Sequence, residues 1–179
     1  MCSSDLAAGS QATFEVALAT QSREAPPNAI EVEFLSIAPE NRDASGRRFG
    51  ELIHAALRDG GGAGVIEMNG RLLGATSAEI EAARVSVAAA LGHPVFQNAA
   101  AAQRVHREYP VILPLEGNRV FEGVIDLAYF DGDSWTVVDF KTDAGLGAKR
   151  KAYERQLQWY AHALHVIHGT PVRAVLLAL

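Results

Sequence analysis

The sequence has almost no cysteine: Cys2 alone among 179 residues. That excludes a disulfide framework within the chain, and it excludes a zinc or iron–sulfur centre built on several cysteine thiolates. Long apolar runs are also missing, and none approaches the ~20 residues that span a bilayer. The first residues lack the basic start and apolar centre of a signal peptide. There is no surplus of positive charge, with 16 Lys and Arg against 21 Asp and Glu and a net charge of −5. The chain as a whole is therefore no basic coat for nucleic acid, and any such contact must use a local patch or bound cations. No Gly-Lys-Ser/Thr phosphate loop is present, so the chain carries no ATP site of that kind. Internal repeats and low-complexity tracts are absent.

What is present is an ordinary globular composition, 49% apolar and 21% charged, in a chain long enough for one domain with a sizeable core. Residues 1–6 suit no native element, resemble a translated sequencing adaptor, and are read as a scar. The apolar run 172–179 ends the chain without a cap or polar tail, so the expectation is a C-terminally truncated piece of a longer protein. Residues 7–44 are expected to be the tail of a preceding domain or a linker. Within them, 14–18 and 30–34 alternate like strands around the breaker Ala25-Pro26-Pro27-Asn28, and 39–46 is a polar loop.

From Ser45 the period becomes helical. Phe49, Leu52, Ile53, Ala56 and Leu57 share one face, and Gly60-Gly61-Gly62 ends the helix. His54 lies within it, with Gly50 one turn before leaving space above the imidazole. A second helix is expected from a Ser77 cap through Leu91, stopped by Gly92-His93-Pro94, and a short helix follows over 95–102. The period then changes to two. Strands are expected over 104–115, 120–130 and 135–140, joined by Glu116-Gly117-Asn118 and Asp131-Gly132-Asp133. They form a three-strand antiparallel meander. A helix over 149–168 with an apolar stripe of Tyr153, Leu157, Tyr160, Leu164 and Ile167 leads to a fourth strand. That crossover makes the fourth strand parallel to the third. The fold class is α/β, a mixed sheet flanked by helices.

Two features of the strands bear chemistry. The third strand ends in Asp139-Phe140-Lys141, which sends an acid and a base to one face and Val138 and Phe140 to the other. On its own this is most simply an ion pair that ends a strand. The second strand carries Asp126 among apolar residues, on the face of Val124 and Ala128 and opposite Ile125 and Leu127. A buried acid is costly unless paired, hydrogen-bonded or metal-bound. Hairpin pairing brings Asp126 and Asp139 together, and a divalent cation relieves their repulsion. Two carboxylates and an imidazole suit a hard ion such as Mg²⁺ or Mn²⁺.

Taken in order, Gly50-Glu51-Leu52-Ile53-His54, Glu108-Tyr109-Pro110, Gly123-Val124-Ile125-Asp126, Asp139-Phe140-Lys141-Thr142 and Gln156-Leu157-Gln158-Trp159-Tyr160 resemble the PD-(D/E)XK nuclease superfamily. More narrowly they are similar to the RecB-like nuclease domain at the C-terminus of AddA and RecB helicase–nucleases. The resemblance covers residues 45–179 and implies a restriction-endonuclease-like fold. Val124-Ile125 stands where other branches place a proline before the acid. The resemblance implies that His54, Asp126, Asp139 and the Phe140 backbone carbonyl hold Mg²⁺, or Mn²⁺, and that Lys141 is the base or electrostatic stabiliser. It also implies that Gln156 and Tyr160 contact DNA or position Lys141, and that Glu108 is an outer acid.

The same resemblance implies an Mg²⁺-dependent deoxyribonuclease, an exonuclease acting on single- or double-stranded DNA ends. Its setting would be repair of double-strand breaks in the bacterial cytoplasm, at the nucleoid, with a fused upstream helicase that supplies the ATP site and a second AddB/RecC-like subunit. A stand-alone exonuclease and an inactive DNA-binding module are the alternatives. The iron–sulfur exonucleases of the superfamily are disfavoured, because their cluster cysteines are missing. Lys149, Arg150, Lys151 and Arg155 are usual for a solvated helix start, and near Lys141 they could hold phosphates, with Arg47, Arg48, Arg104 and Arg107 extending the patch. His162, His165 and His168 read as a solvated or interfacial helix face, and Asp131, Asp133 and Asp143 as turn residues.

Overall fold

Glycine punctuation and the switch of hydrophobic period divide the chain into a helical half and a strand-rich half, and the computed structural model follows that division. It describes residues 15–22, 24–37, 44–143 and 146–179; residues 1–6 lie outside this set. The elements are β1 (Glu15–Leu18), a 3₁₀ turn (Ala19–Gln21), β2 (Val32–Ser36), α1 (Arg47–Arg58), α2 (Ala63–Leu72), α3 (Ser77–Gly92), α4 (Pro94–Ala101), β3 (Arg104–Leu115), β4 (Arg119–Phe130), β5 (Trp135–Lys141), α5 (Leu146–His168) and β6 (Val172–Ala178).

Among the described residues, six strands form one mixed sheet. The antiparallel meander β3–β4–β5 and the parallel β5–β6 crossover are present. The left-handed backbone of Gly117 and Asn118 makes the first turn, as hairpins of this length demand. The restriction-endonuclease-like α/β arrangement stands, but the sheet is wider than the four strands expected. β1 runs parallel to the first part of β4, and β2 runs parallel to β6. Residues expected to belong to a tail or linker thus supply two strands of this sheet. Parallel pairing between distant segments needs no hairpin turn, so it leaves no local signal.

Helices cover both faces. α1 to α4 pack on Leu127, Val138, Phe140, Val175 and Leu177. On the other face, α5 packs Leu157, Tyr160 and Leu164 on Phe121, Ile125, Val137 and Leu176. α2 is absent from the sequence reading: its glycines, Gly64 and Gly70, weaken helix propensity, and Gly70 is needed because Ile80 lies where its Cβ would be. The α3 cap is Thr76 rather than Ser77, with a reciprocal bond from Glu79, the capping-box pattern. Ile167 is exposed, so it drops out of the α5 stripe.

The strict alternation expected along β4 breaks at Asp126. Ile125 lies in the α5-side core and Leu127 in the α1-side core, although they are two residues apart. The cause sits across the ladder. Arg107 pairs Leu127 and Tyr109 pairs Ile125, and Glu108 between them has a left-handed backbone, φ 51°. A non-glycine residue in that region costs energy and turns the pleat. The strain falls at Glu108 and Asp126, whose carboxylate oxygens lie within 4.8 Å of each other.

Candidate active site

The edge of β4 away from β3 is shared. β1 takes Arg119 to Glu122, and β5 takes Leu127 to Phe130. Among the described residues, no strand pairs residues 123–126 on that side, and side chains fill the gap. Asp126 Oδ2 accepts a 2.7 Å hydrogen bond from the Phe140 backbone N–H, in place of a ladder bond. The Tyr160 ring lies over Gly123, where an added Cβ would come within 2.5 Å of Cε1 and 2.9 Å of the Ala19 Cβ. Gly123→Ala is therefore expected to cost about 1–3 kcal/mol through overpacking, read as a drop of several degrees in Tm.

His54 on α1 faces this gap. Its Nε2 is 3.1 Å from the Phe140 carbonyl oxygen, and its Nδ1 is 3.3 Å from Asp126 Oδ1. A carbonyl only accepts, so Nε2 carries the proton. Nδ1 then meets a carboxylate, and needs either a second proton or a cation. Burial opposes a charged imidazole, but the bond to Asp126 and the nearby Asp139 prevail and raise its pKa. Ligand atoms of His54, Glu108 and Asp126 all lie within 4.8 Å of one another. Glu108, expected as an outer acid, thus brings its carboxylate within 4.8 Å of the His54 and Asp126 ligand atoms.

Asp139 lies beside this trio rather than in it. It is fully buried, with Oδ2 2.6 Å from Lys141 Nζ. The two charges are in direct contact, and the carboxylate keeps further lone pairs for another partner. Burial and the like charge of Asp126 push its carboxyl up to about 6, against the pull of Lys141. Lys141 is buried too, which opposes its charge, yet Asp139 and Asp126 hold its pKa above the ordinary value. Gln156 and Tyr160 share one face of α5, and the Gln156 amide donates to the Tyr160 hydroxyl at 2.9 Å. Burial raises the Tyr160 hydroxyl to about 12.

A cleft of about 400 Å³ opens over His54, Phe140, Lys141, Thr142 and Asp143. Gly50 does not leave space above the imidazole. Thr142 Oγ1 takes it, 2.9 Å from where a Cβ would stand. Asp143, read as a turn residue, accepts a short hydrogen bond from the Tyr153 hydroxyl and lies 3.4 Å from Lys149 Nζ. Tyr153 presents its ring to Lys141, Nζ to centroid 4.7 Å. Its spacing, three residues before Gln156 and seven before Tyr160, was the available signal.

The remaining basic residues are less concentrated than a single patch. Lys151 is exposed. Arg150 pairs Glu154 at 2.7 Å and covers the Phe34 ring. Arg155 Nε is buried, with no hydrogen-bond partner among the described residues. Arg47 is paired with Glu51 and Arg48 with Glu79. Arg104 stacks on Phe130 and Trp135, at the end of β5 remote from Lys141, so it does not extend the group. His168 stacks on Trp135, and His165 bonds the Thr170 carbonyl.

A mixed α/β sheet with acids and a lysine where two central strands part, and an imidazole from a preceding helix, is a donor set suited to a divalent cation. The sequence agrees: residues 30–179 match the model of the PD-(D/E)XK nuclease superfamily, and the chain belongs to that family. It is also similar to an ATP-dependent helicase/nuclease subunit from Desulforamulus reducens, 31% identical over 102 residues. That match covers 48% of this chain and 8% of the relative, in keeping with the RecB-like branch. The chain thus corresponds to a small part of the relative's length. Among the described residues, no helix is long and apolar enough to cross a membrane.

Proposed function

We propose that this chain is a divalent-metal-dependent deoxyribonuclease domain, with Mg²⁺ or Mn²⁺ as its cation. The observation that carries the reading is the convergence of His54, Glu108 and Asp126 beside the buried Asp139–Lys141 pair. The donor set fits a hard cation: nitrogen and oxygen ligands, crowded carboxylates, and a His54 Nδ1 that faces a carboxylate. His54, Asp126 and Asp139 are the proposed ligands, with Glu108 inside or just outside that shell. The Phe140 carbonyl, now bonded to His54, is available on rotation of the imidazole. When bound, the cation supplies Lewis acidity toward a phosphate oxygen and makes a water more acidic.

Lys141 is held charged, so its role is to stabilise negative charge developing on phosphorus rather than to remove a proton. Gln156 and Tyr160 act as a hydrogen-bonded pair that supports the β4 gap and the strand carrying Asp126. Lys149 and Lys151, exposed at the start of α5, serve as phosphate contacts, while Arg150 is taken by Glu154 and Arg155 by the fold. The similarity to one component of a helicase/nuclease supports a place within an ATP-driven enzyme that resects broken DNA ends as an exonuclease. An upstream motor and an AddB/RecC-like subunit would be its partners, in the bacterial cytoplasm. The nuclease unit would include residues 15–36, since β1 and β2 complete its sheet.

Labelled single- and double-stranded DNA tests this. Cleavage is expected with Mg²⁺ or Mn²⁺, none with EDTA, and products that shorten from an end. Binding to DNA without cleavage under any metal would favour the inactive DNA-binding module instead.

A further inference from the structure

A lysine that serves a reaction has to be aimed as well as charged. Its four-carbon stem is flexible, and an ammonium displaced by an ångström loses much of its effect. Among the described residues, two groups contact Lys141 Nζ. One is Asp139 Oδ2 at 2.6 Å. The other is the face of Tyr153, 4.7 Å to the ring centroid, within range of a cation–π contact. The ring is itself anchored, because its hydroxyl donates to Asp143 in the loop that leaves β5, and Lys149 approaches the same carboxylate. A tyrosine that only filled the core would need no carboxylate at its tip. Tyr153 is half-buried and shares its helix face with Gln156 and Tyr160.

We propose that Tyr153 is the positioning residue for Lys141, its Asp143-anchored ring holding the ammonium over the cleft when Asp139 is engaged elsewhere. This rests on the nuclease reading. Asp139 is shared: a carboxylate that serves as metal ligand attracts Lys141 less, because the cation neutralises it. The ammonium then needs a second seat. An aromatic face holds a cation without a formal charge of its own, so the ammonium stays free to attract a phosphate. A carboxylate in that place would compete with the substrate.

The test uses the full chain and a double-mutant cycle on labelled DNA with Mn²⁺. Tyr153→Leu is expected to slow single-turnover cleavage by about 10–100-fold, with DNA and Mn²⁺ affinities within about twofold of wild type. Tyr153→Phe keeps the ring, loses only the anchor, and should retain most of the rate. In a Lys141→Ala background, Tyr153→Leu should have no further effect, because both act through one group. A readout independent of activity accompanies this. The Lys141 ε-methylene protons should show an upfield ring-current shift in the wild type that is lost in Tyr153→Leu. If Tyr153→Leu does not fold, Tyr153→Met, which also lacks the ring, takes its place in the cycle, with the same loss expected. Wild-type rates for Tyr153→Leu, multiplying effects in the double mutant, or no ring-current shift would overturn the proposal. A wild type that fails to cleave with any divalent metal overturns the nuclease reading, and this role with it. Cleavage that is metal-dependent but indifferent to Tyr153 overturns this role alone.

Discussion

Asp139→Asn is expected to lower DNA cleavage at least about 10³-fold, and to change how stability follows pH. The first effect follows from removing a proposed metal ligand and the counter-charge of Lys141 together. The second follows from burial. The folded carboxyl sits at about 6 against an ordinary 3.8, so between those values the folded state binds more protons than the unfolded one. Stability of the metal-free protein therefore falls as pH rises through that window, by up to about 3 kcal/mol. Asparagine does not ionise, so this fall should disappear from denaturation curves of the variant. A divalent cation needs the ionised carboxylate and an unprotonated His54 nitrogen. The rise in Tm on adding Mn²⁺ should accordingly be larger at pH 8 than at pH 5. An Asp139→Asn variant with an unchanged pH profile would show that this carboxylate is not the group under strain.

Lys141→Ala is expected to reduce the cleavage rate about 10²–10³-fold, the usual loss of one preorganised charge from a hydrolytic site. Here Mn²⁺ affinity should be kept or improved. Lys141 competes with the cation for Asp139, and its removal lowers the positive charge near the ligands. Calorimetry for the metal, set beside single-turnover cleavage, separates the two. A variant that loses metal and rate in parallel would make Lys141 a support of the ligands rather than a partner of the phosphate.

Much of this arrangement is legible in the residues. The apolar run Trp135 to Val138, ended by Asp139 and Lys141, marks a buried strand, and the Asp131-Gly132-Asp133 turn fixes its hairpin neighbour. That is enough to set Asp126 near Asp139. The periodic stripe of α1 carries His54 without any knowledge of what it faces. Illegible were the features that depend on contacts between distant segments. β1 and β2 join the sheet by parallel pairing, which no turn announces. The reversal of the pleat at Asp126 depends on the backbone of Glu108, a residue type that rarely adopts it. Thr142 and Gly50 fit each other across 92 positions, and Tyr153 looks like any apolar-stripe residue until Lys141 is seen against it. Shape complementarity of this kind has no sequence period.

If His54, the acids around it and Lys141 form one metal-dependent cleavage site, metal occupancy and cleavage must rise and fall together. The most direct measurement titrates Mn²⁺ into wild type and Asp126→Ala, following bound metal and cleavage of end-labelled DNA in the same samples. Asp126 supports both His54 and the Phe140 amide, so the account predicts cleavage that rises with occupancy in the wild type, vanishes with EDTA, and is lost with metal binding in the variant. Cleavage by Asp126→Ala at the wild-type rate, or wild-type cleavage that persists in EDTA, would contradict it.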